Sequence, residues 1–328
     1  MTKIGVRIGN WLARGLGLVM LVLAGPAAAQ FPGTAPITIV LPYPPGGLGD
    51  YFVRLVAPKL AESLGTTVLV DNRAGANGAI GTAAVARAKP DGHTIVFVPA
   101  STVTTNQWLM KDLGYDPLKD LTPIVLALAV PNVLVVNPGV PAQTLPELLD
   151  LARSKPGSLN YASVGMGSST HLQAEMLKRG ANIDIVHVTY KGAGPALQDL
   201  LAGQVQMMFD NMPSVLPLIQ SGKLRALAVT SAKPSPALPD VPPVGKFVPG
   251  FEQMPWFAFL GPAGLPANIV ATLNEHLIRA MRSPEVVQAL AARGGEIATS
   301  TPAQLGELIK TDSDKMGRLI KEAGITPQ

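Results

Sequence analysis

Short runs of β-branched residues alternate with Ala- and Leu-rich segments along most of this chain, and no other feature limits its fold as much. Ile37–Leu41, Thr67–Val70 and Thr94–Val98 read as strands, with helical patterning over Tyr51–Leu64 and Ala79–Lys89 between them. Strands joined through helices make parallel βαβ units with helices on the sheet faces. Pro58 predicts a kink in the first helix, with Arg54 and Glu62 on its solvent side. The grammar repeats with strands at Val133–Val136, Tyr161–Val164, Ile185–Thr189, Val205–Phe209 and Leu224–Thr230. Between them, Leu145–Ser154, Ser169–Lys178, Ala196–Ala202 and Pro213–Gln220 read as helices, the first capped by Thr144 with Pro146 in its first turn. Pro234, Pro236, Pro239, Pro242, Pro243 and Pro249 exclude regular helix or central strand and predict an extended crossing. A strand at Trp256–Leu260 follows, then helices at Ala267–Met281, Pro284–Ala292 and Pro302–Ala323, with Ser283 and Thr301 as N-caps. The order predicts two α/β domains: residues 30–130 with 252–328, and residues 131–251. A boundary crossed twice makes a hinge beside a cleft, where ligand sites concentrate.

The first 29 residues read as a secretory signal. Lys3, Arg7 and Arg14 give a basic start, Leu16–Leu23 a short apolar core, and Ala27–Ala29 a cleavage site of small residues. The apolar run is well short of the ~20 residues of a membrane span. Removing those three bases leaves 23 basic against 22 acidic residues. A chain so nearly neutral, without a long basic run, carries no signal for nucleic acid. It has no Cys and four His, so disulfides, a lipid-anchoring Cys and a zinc site are not expected. No cofactor is expected either.

In open α/β sheets ligands lie beyond the carboxyl ends of the strands. The first such loop is Tyr43-Pro44-Pro45-Gly46-Gly47-Leu48-Gly49-Asp50. Its glycines leave backbone N–H groups bare beside the positive end of a helix dipole, which suits an anion. Tyr43 and Pro45 are placed to pack on a ligand; Asp50 is placed either to cap the helix or to accept from a ligand. The second loop, Ser163–His171, repeats the design with Gly165 and Gly167, and Ser163, Ser168 and Ser169 add hydroxyl donors. Two such loops predict a pincer on one acidic ligand, which proline at Gly47 or Gly167 should weaken. Ser168 with His171 also admits a nucleophile and base, but no G-x-S-x-G elbow occurs. Asp71–Gly81, with Asn77 and Arg73, forms a third loop whose glycine spacing matches no nucleotide motif. Ser101 and Thr102, Tyr190 and Lys191, and Asp210 each end a strand and complete the candidate site.

These residues, taken in order, resemble the Bug-type (TctC-like) extracytoplasmic solute-binding proteins of tripartite tricarboxylate transporter systems. The resemblance is carried by the Pro-Gly-Gly loop with Asp50, Asp71-Asn72-Arg73, Lys89-Pro90-Asp91-Gly92, Tyr161-Ala162-Ser163 with Gly165 and Gly167-Ser168, Tyr190-Lys191-Gly192, Ser221–Ser231 and Leu238–Pro242. It implies a two-domain type II periplasmic-binding (Venus-flytrap) fold, each domain a mostly parallel sheet flanked by helices. It implies a periplasmic receptor, not an enzyme, whose two loops hold a ligand carboxylate and whose partner is a tripartite membrane carrier; a sensor is the other partner considered. Few basic side chains lie in the loops, so a mono- or dicarboxylate, aromatic ones included, is expected before a tricarboxylate, and a monomer is expected. Tyr43, where the family often has Phe, Ala100–Thr104, and Ala232-Lys233-Pro234, which lacks the usual Arg, depart from the family pattern; the second lines the cleft and leaves the distal end of the ligand open. An exported hydrolase using Ser168 and His171 is the alternative. N-terminal sequencing of the exported protein should read from Gln30; a start at Met1 would contradict the cleavage site.

Overall fold

The computed structural model describes residues 1–2 and 31–322, so the expected signal segment and its cleavage site lie outside the described residues. Two five-stranded sheets form two lobes. In the first, β1 (Ile37–Leu41) pairs in parallel with β2 (Val68–Asn72) and β3 (Thr94–Pro99). A late strand, Trp256–Pro262, lies antiparallel between β3 and β4 (Leu121–Ala129). In the second, β6 (Asn160–Ser163) pairs in parallel with β7 (Val186–Thr189) and β8 (Met207–Asn211). There β5 (Asn132–Val136) lies antiparallel between β8 and β9 (Arg225–Val229). The late strand of the first sheet is β10. In each sheet one strand of five runs against the rest, and it is the strand that enters directly after the chain crosses between lobes.

Period-two alternation decides which face each residue covers. Ile37, Ile39 and Leu41 of β1 pack with Phe97 and Phe259 against Phe52, Val56 and Leu60 of α1 (Leu48–Leu64). Val40, with Val96 and Val98 of β3, faces the other way onto Ala79 and Ala83 of α2 (Ala79–Ala86). The second sheet is covered likewise by α5 (Leu145–Ser154) and α6 (Ser169–Gly180) on one face. Its other face carries α7 (Ala193–Leu201) and α8 (Met212–Gln220). The short helices α3 (Ala100–Thr104) and α4 (Asn106–Leu109) follow β3. The helices α9 (Ala267–Met281), α10 (Pro284–Ala291) and α11 (Pro302–Glu322) close the chain onto the first lobe.

The two crossings are stitched together by backbone. Val130 N–H donates to Pro255 O at 2.9 Å and Gln253 N–H to Thr230 O at 3.0 Å. Thr230 N–H donates to Asn132 O at 2.9 Å, and its hydroxyl accepts from Asn132 N–H at 2.9 Å.

Several elements differ from the sequence reading. Strand β4 was not expected because it contains Pro123; it lies at the sheet edge, where a missing N–H breaks no central ladder. Helix α1 runs unbroken through Pro58, whose position is exposed. The Pro-rich segment is more than an extended crossing: it turns through a 3₁₀ helix at Val244–Lys246 and buries Val244, Val248 and Phe251 in the second lobe. Thr301 caps α11 reciprocally with Gln304, at 2.9 and 3.2 Å. Ser283 stands at the N-cap of α10, but its buried hydroxyl caps nothing.

Helix α2 sits close enough to the first loop to be sensitive to one methyl group. A Cβ on Gly81 would fall 2.8 Å from Arg73 O and 2.9 Å from Pro42 Cβ. Gly81→Ala should therefore destabilise by about 1–3 kcal/mol, the usual cost of overpacking, read as a lowered denaturation midpoint; an unchanged midpoint would show that the contact yields freely.

Candidate functional site

The carboxyl ends of the strands in both lobes face one cavity of about 70 Å³, room for a few water-sized groups. Tyr43, Gly47, Asp50 and Ser101 line it from the first lobe, and Ser168 and Asp210 from the second. The lobes touch around it. A Cβ on Gly192 would stand 2.6 Å from Pro44 Cγ, one on Gly165 3.4 Å from Asn77 Oδ1, and one on Gly167 2.7 Å from Leu109 Cδ1. With φ of +126° at Gly192 and +142° at Gly165, these positions favour glycine for backbone as well as space.

The donors are the starts of two helices. An α-helix leaves its first N–H groups without intrahelical partners. At α1, Tyr51 N–H is the first to close a turn, onto Gly47 O at 3.1 Å. Among the described residues no acceptor is assigned to the N–H of Leu48 or Gly49, and both residues line the cavity. At α6, Leu172 N–H closes the first turn onto Ser168 O at 3.0 Å. His171 N–H is capped by Ser168 Oγ at 3.3 Å, and among the described residues no acceptor is assigned to the N–H of Ser169 or Thr170, which line the cavity wall.

Three of the loop glycines, Gly46, Gly165 and Gly167, serve differently from the sequence expectation, whereas Gly47 and Gly49 line the cavity as expected. Gly46 N–H donates to Asp50 Oδ2 at 3.3 Å, and Gly167 N–H to His171 Nδ1 at 3.2 Å. Gly165 N–H donates to Ser163 Oγ at 3.3 Å. These donors brace the loops. A proline at Gly167, whose φ is +76°, would break the second loop and not merely delete a ligand contact. Asp50 is held as a brace too, accepting from Arg54 Nε at 2.9 Å and from Asn72 Nδ2 at 3.3 Å.

Other sequence-selected residues form the supporting layer. Tyr43 Oη lies 3.0 Å from Asn77 Oδ1 and 3.2 Å from Thr102 Oγ1. Burial pushes its phenol up to about 12, so it stays protonated. Asn77 is itself anchored by Asn106 at 2.8 Å. His171 is buried behind the second loop, stacked on His187 at 4.5 Å, with Ser163 Oγ 2.6 Å from His187 Nε2. Tyr161 stacks on His187 from its far side at 4.8 Å and donates to Glu175 at 2.7 Å. Tyr190 is turned to Asp199 at 2.7 Å, Lys191 is exposed, and neither lines the cavity. Pro45 does not line the cavity; its carbonyl touches the second lobe, 3.4 Å from where a Gly194 Cβ would stand. Arg73 pairs with Asp71 at 2.7 Å on the surface.

The nucleophile-and-base pair is not assembled. Ser168 Oγ donates to Gly165 O at 2.6 Å and accepts from the His171 backbone, while the His171 ring accepts from Gly167. The sequence reading missed Phe97 and Phe257, which line the cavity with rings stacked 5.7 Å apart. Both sit in strands and read as ordinary core. It also left out Leu48 and Thr170 and expected Ser169 to offer its hydroxyl, although the place of all three at the first turn of a helix marks their N–H groups.

Two lobes, each a five-stranded sheet flanked by helices, with a cavity between them have a type II periplasmic-binding fold. The class is a solute receptor. Residues 52–325 match the tripartite tricarboxylate transporter family receptor, and the chain belongs to that family. BugT of Bordetella pertussis is 39% identical over 284 residues, covering 85% of this chain and 86% of its own. A structure from R. palustris with adipate superposes with a TM-score of 0.87 at 34% identity, covering 91% of this chain and 100% of that one. MatC from Rhodopseudomonas palustris, with bound malate, gives 0.83 at 31%, covering 88% and 100%.

Burial lowers both histidines behind the second loop, His187 to about 4, where the charge of His171 adds to the effect and Glu175 opposes it. A histidine depressed in the folded state adds stability above its unfolded value of about 6.5 and loses it as pH falls toward the folded value. The melting temperature should therefore drop between pH 6.5 and 4, and His187→Gln should remove part of that drop. Equal drops in both proteins would contradict the assignment.

Proposed function

We propose that this chain is an exported, periplasmic receptor that captures a small mono- or dicarboxylate between its lobes and delivers it to a membrane carrier. One observation carries the reading: the unpartnered N–H groups at the starts of α1 and α6 meet at one cavity from opposite lobes. Each start is a place for an anion, and together they hold a carboxylate only when the lobes are closed. Closure on ligand is then a hinge motion of the stitched crossings near Val130 and Thr230. Membership in a transporter receptor family supports the carrier as partner.

The lining also argues for the size and charge of the ligand. Among the described residues no Lys, Arg or His lines the cavity, so a third carboxylate would find no cation from them. Phe97 and Phe257 offer an apolar wall to the body of the ligand. Adipate and malate, bound by the two similar proteins, have that character. Ser168 and His171, occupied in bracing their loop, support a binding site and not an exported hydrolase.

The test uses a proline that the helix tolerates. Ser169 is the first residue of α6, and Ser168 before it is extended (φ −64°, ψ 159°), as proline requires of its neighbour. Ser169→Pro removes one free N–H and leaves the helix start intact. Calorimetry with adipate, malate and related acids should show binding to the wild type. The variant should bind about tenfold or more weakly, since a hydrogen bond to a charged group contributes about 1.5–3 kcal/mol, with an unchanged melting temperature. No binding by any small carboxylate would overturn the reading, and unaltered affinity in the variant would remove α6 from the clamp.

A further inference from the structure

We infer that Asp210 and the bound carboxylate share one proton, so that capture by this cleft takes up a proton from solution. The inference rests on the reading of the cleft as a carboxylate site. Asp210 is the penultimate residue of β8 and is fully buried. Its Oδ1 accepts from Asn211 N–H at 2.8 Å and from Asn211 Nδ2 at 3.2 Å. Its Oδ2 has no partner among the described residues. A buried polar oxygen left unpaired calls for an explanation, and Asp210 lines the same cavity as the free N–H groups of α1 and α6.

Among the described residues, the surroundings supply no cation. Strand β5 and helix α8 carry no titratable side chain, and β6 brings only Tyr161, which donates to Glu175. Helix α6 brings His171, Glu175, Lys178 and Arg179, with Lys178 paired to Asp184 at 3.3 Å. Helix α7 brings Asp199, which accepts from Tyr190. The 3₁₀ turn brings Lys246, which is exposed and lies over Phe247. Across the cavity stand Tyr43, a neutral phenol, and Asp50, already paired with Arg54. Burial pushes the Asp210 carboxyl up to about 6, against the two Asn211 bonds that pull it down.

A ligand carboxylate therefore enters a dry space that holds a second carboxylate. Two like charges at short range cannot both stay ionised, and one proton between them turns repulsion into a charge-assisted O–H···O⁻ bond. The proton comes from buffer acid, it gives Oδ2 its missing partner, and no bond to carbon forms or breaks. The helix starts remain free to hold the other face of the ligand carboxylate.

Calorimetry of the full chain with adipate, malate and acetate, in buffers of different ionisation enthalpy at pH 7.5, reads the proton count directly. The expected result is uptake of about one proton and a Kd that rises about tenfold per pH unit above pH 7. Asp210→Asn keeps a donor at this position but titrates nothing, so its binding should take up no proton and lose the pH dependence. Binding without uptake, as when a ligand hydroxyl or ammonium donates to Oδ2, would overturn the inference and leave the carboxylate site standing. Uptake that persists in Asp210→Asn would overturn it equally. If that variant fails to fold, the wild-type buffer series decides alone. No binding by any of the three probes would overturn the reading of the cleft and this inference with it.

Discussion

The structure depends on a property of helices that no side chain provides: the first turn leaves N–H groups with nowhere to donate. A parallel βαβ unit starts each helix just beyond the carboxyl end of a strand, so the topology brings α1 and α6 to the mouth of their sheets. The two lobes then turn these mouths toward each other. What would be solvated helix ends in a single domain become opposed donors around a cavity lined by Gly47 on one side and Ser168 on the other.

Holding those donors still is the task of the surrounding side chains. Asp50, His171, Ser163 and Ser168 each accept from a backbone N–H of their own loop. Tyr43, Asn77, Thr102 and Asn106 tie three segments of the first lobe together beneath the cleft. A binding site made of backbone keeps its geometry only if its loops are fixed in this way. The bracing also accounts for a cavity proposed to take anions that is lined, among the described residues, by two acidic residues and no basic one. Asp50 is neutralised by Arg54, and Asp210 is the group left with an unpaired oxygen.

Much of this was legible in the sequence. The β-branched runs marked β1, β3 and β5 to within a residue or two, and Thr144 with Pro146 placed the start of α5. Tyr43–Asp50 and Ser163–Ser168 stood out because glycine and serine between a strand and a helix have few other uses. What could not be read was which N–H of each loop is spent internally. Gly167 and Ser169 are two residues apart, yet one donates to His171 and the other faces the cavity; only the folded loop distinguishes them. Strand β4 was hidden by Pro123, a breaker that an edge strand accommodates, and Phe97 and Phe257 by their place in a core they also serve. Tyr190 and Lys191 end a strand of the second lobe as a ligand-contacting pair would, but Tyr190 bonds Asp199 and Lys191 faces solvent.

The central claim is that a carboxylate is held by backbone from both lobes at once. A crystal structure of the chain soaked or grown with a carboxylate that binds in calorimetry tests it most directly. The account predicts carboxylate oxygens about 2.7–3.1 Å from the N–H groups of Ser169 or Thr170 on one side and of Leu48 or Gly49 on the other, with the lobes in contact through Pro44 and Gly192. A carboxylate held by Arg or Lys side chains, or by one lobe alone, would contradict it.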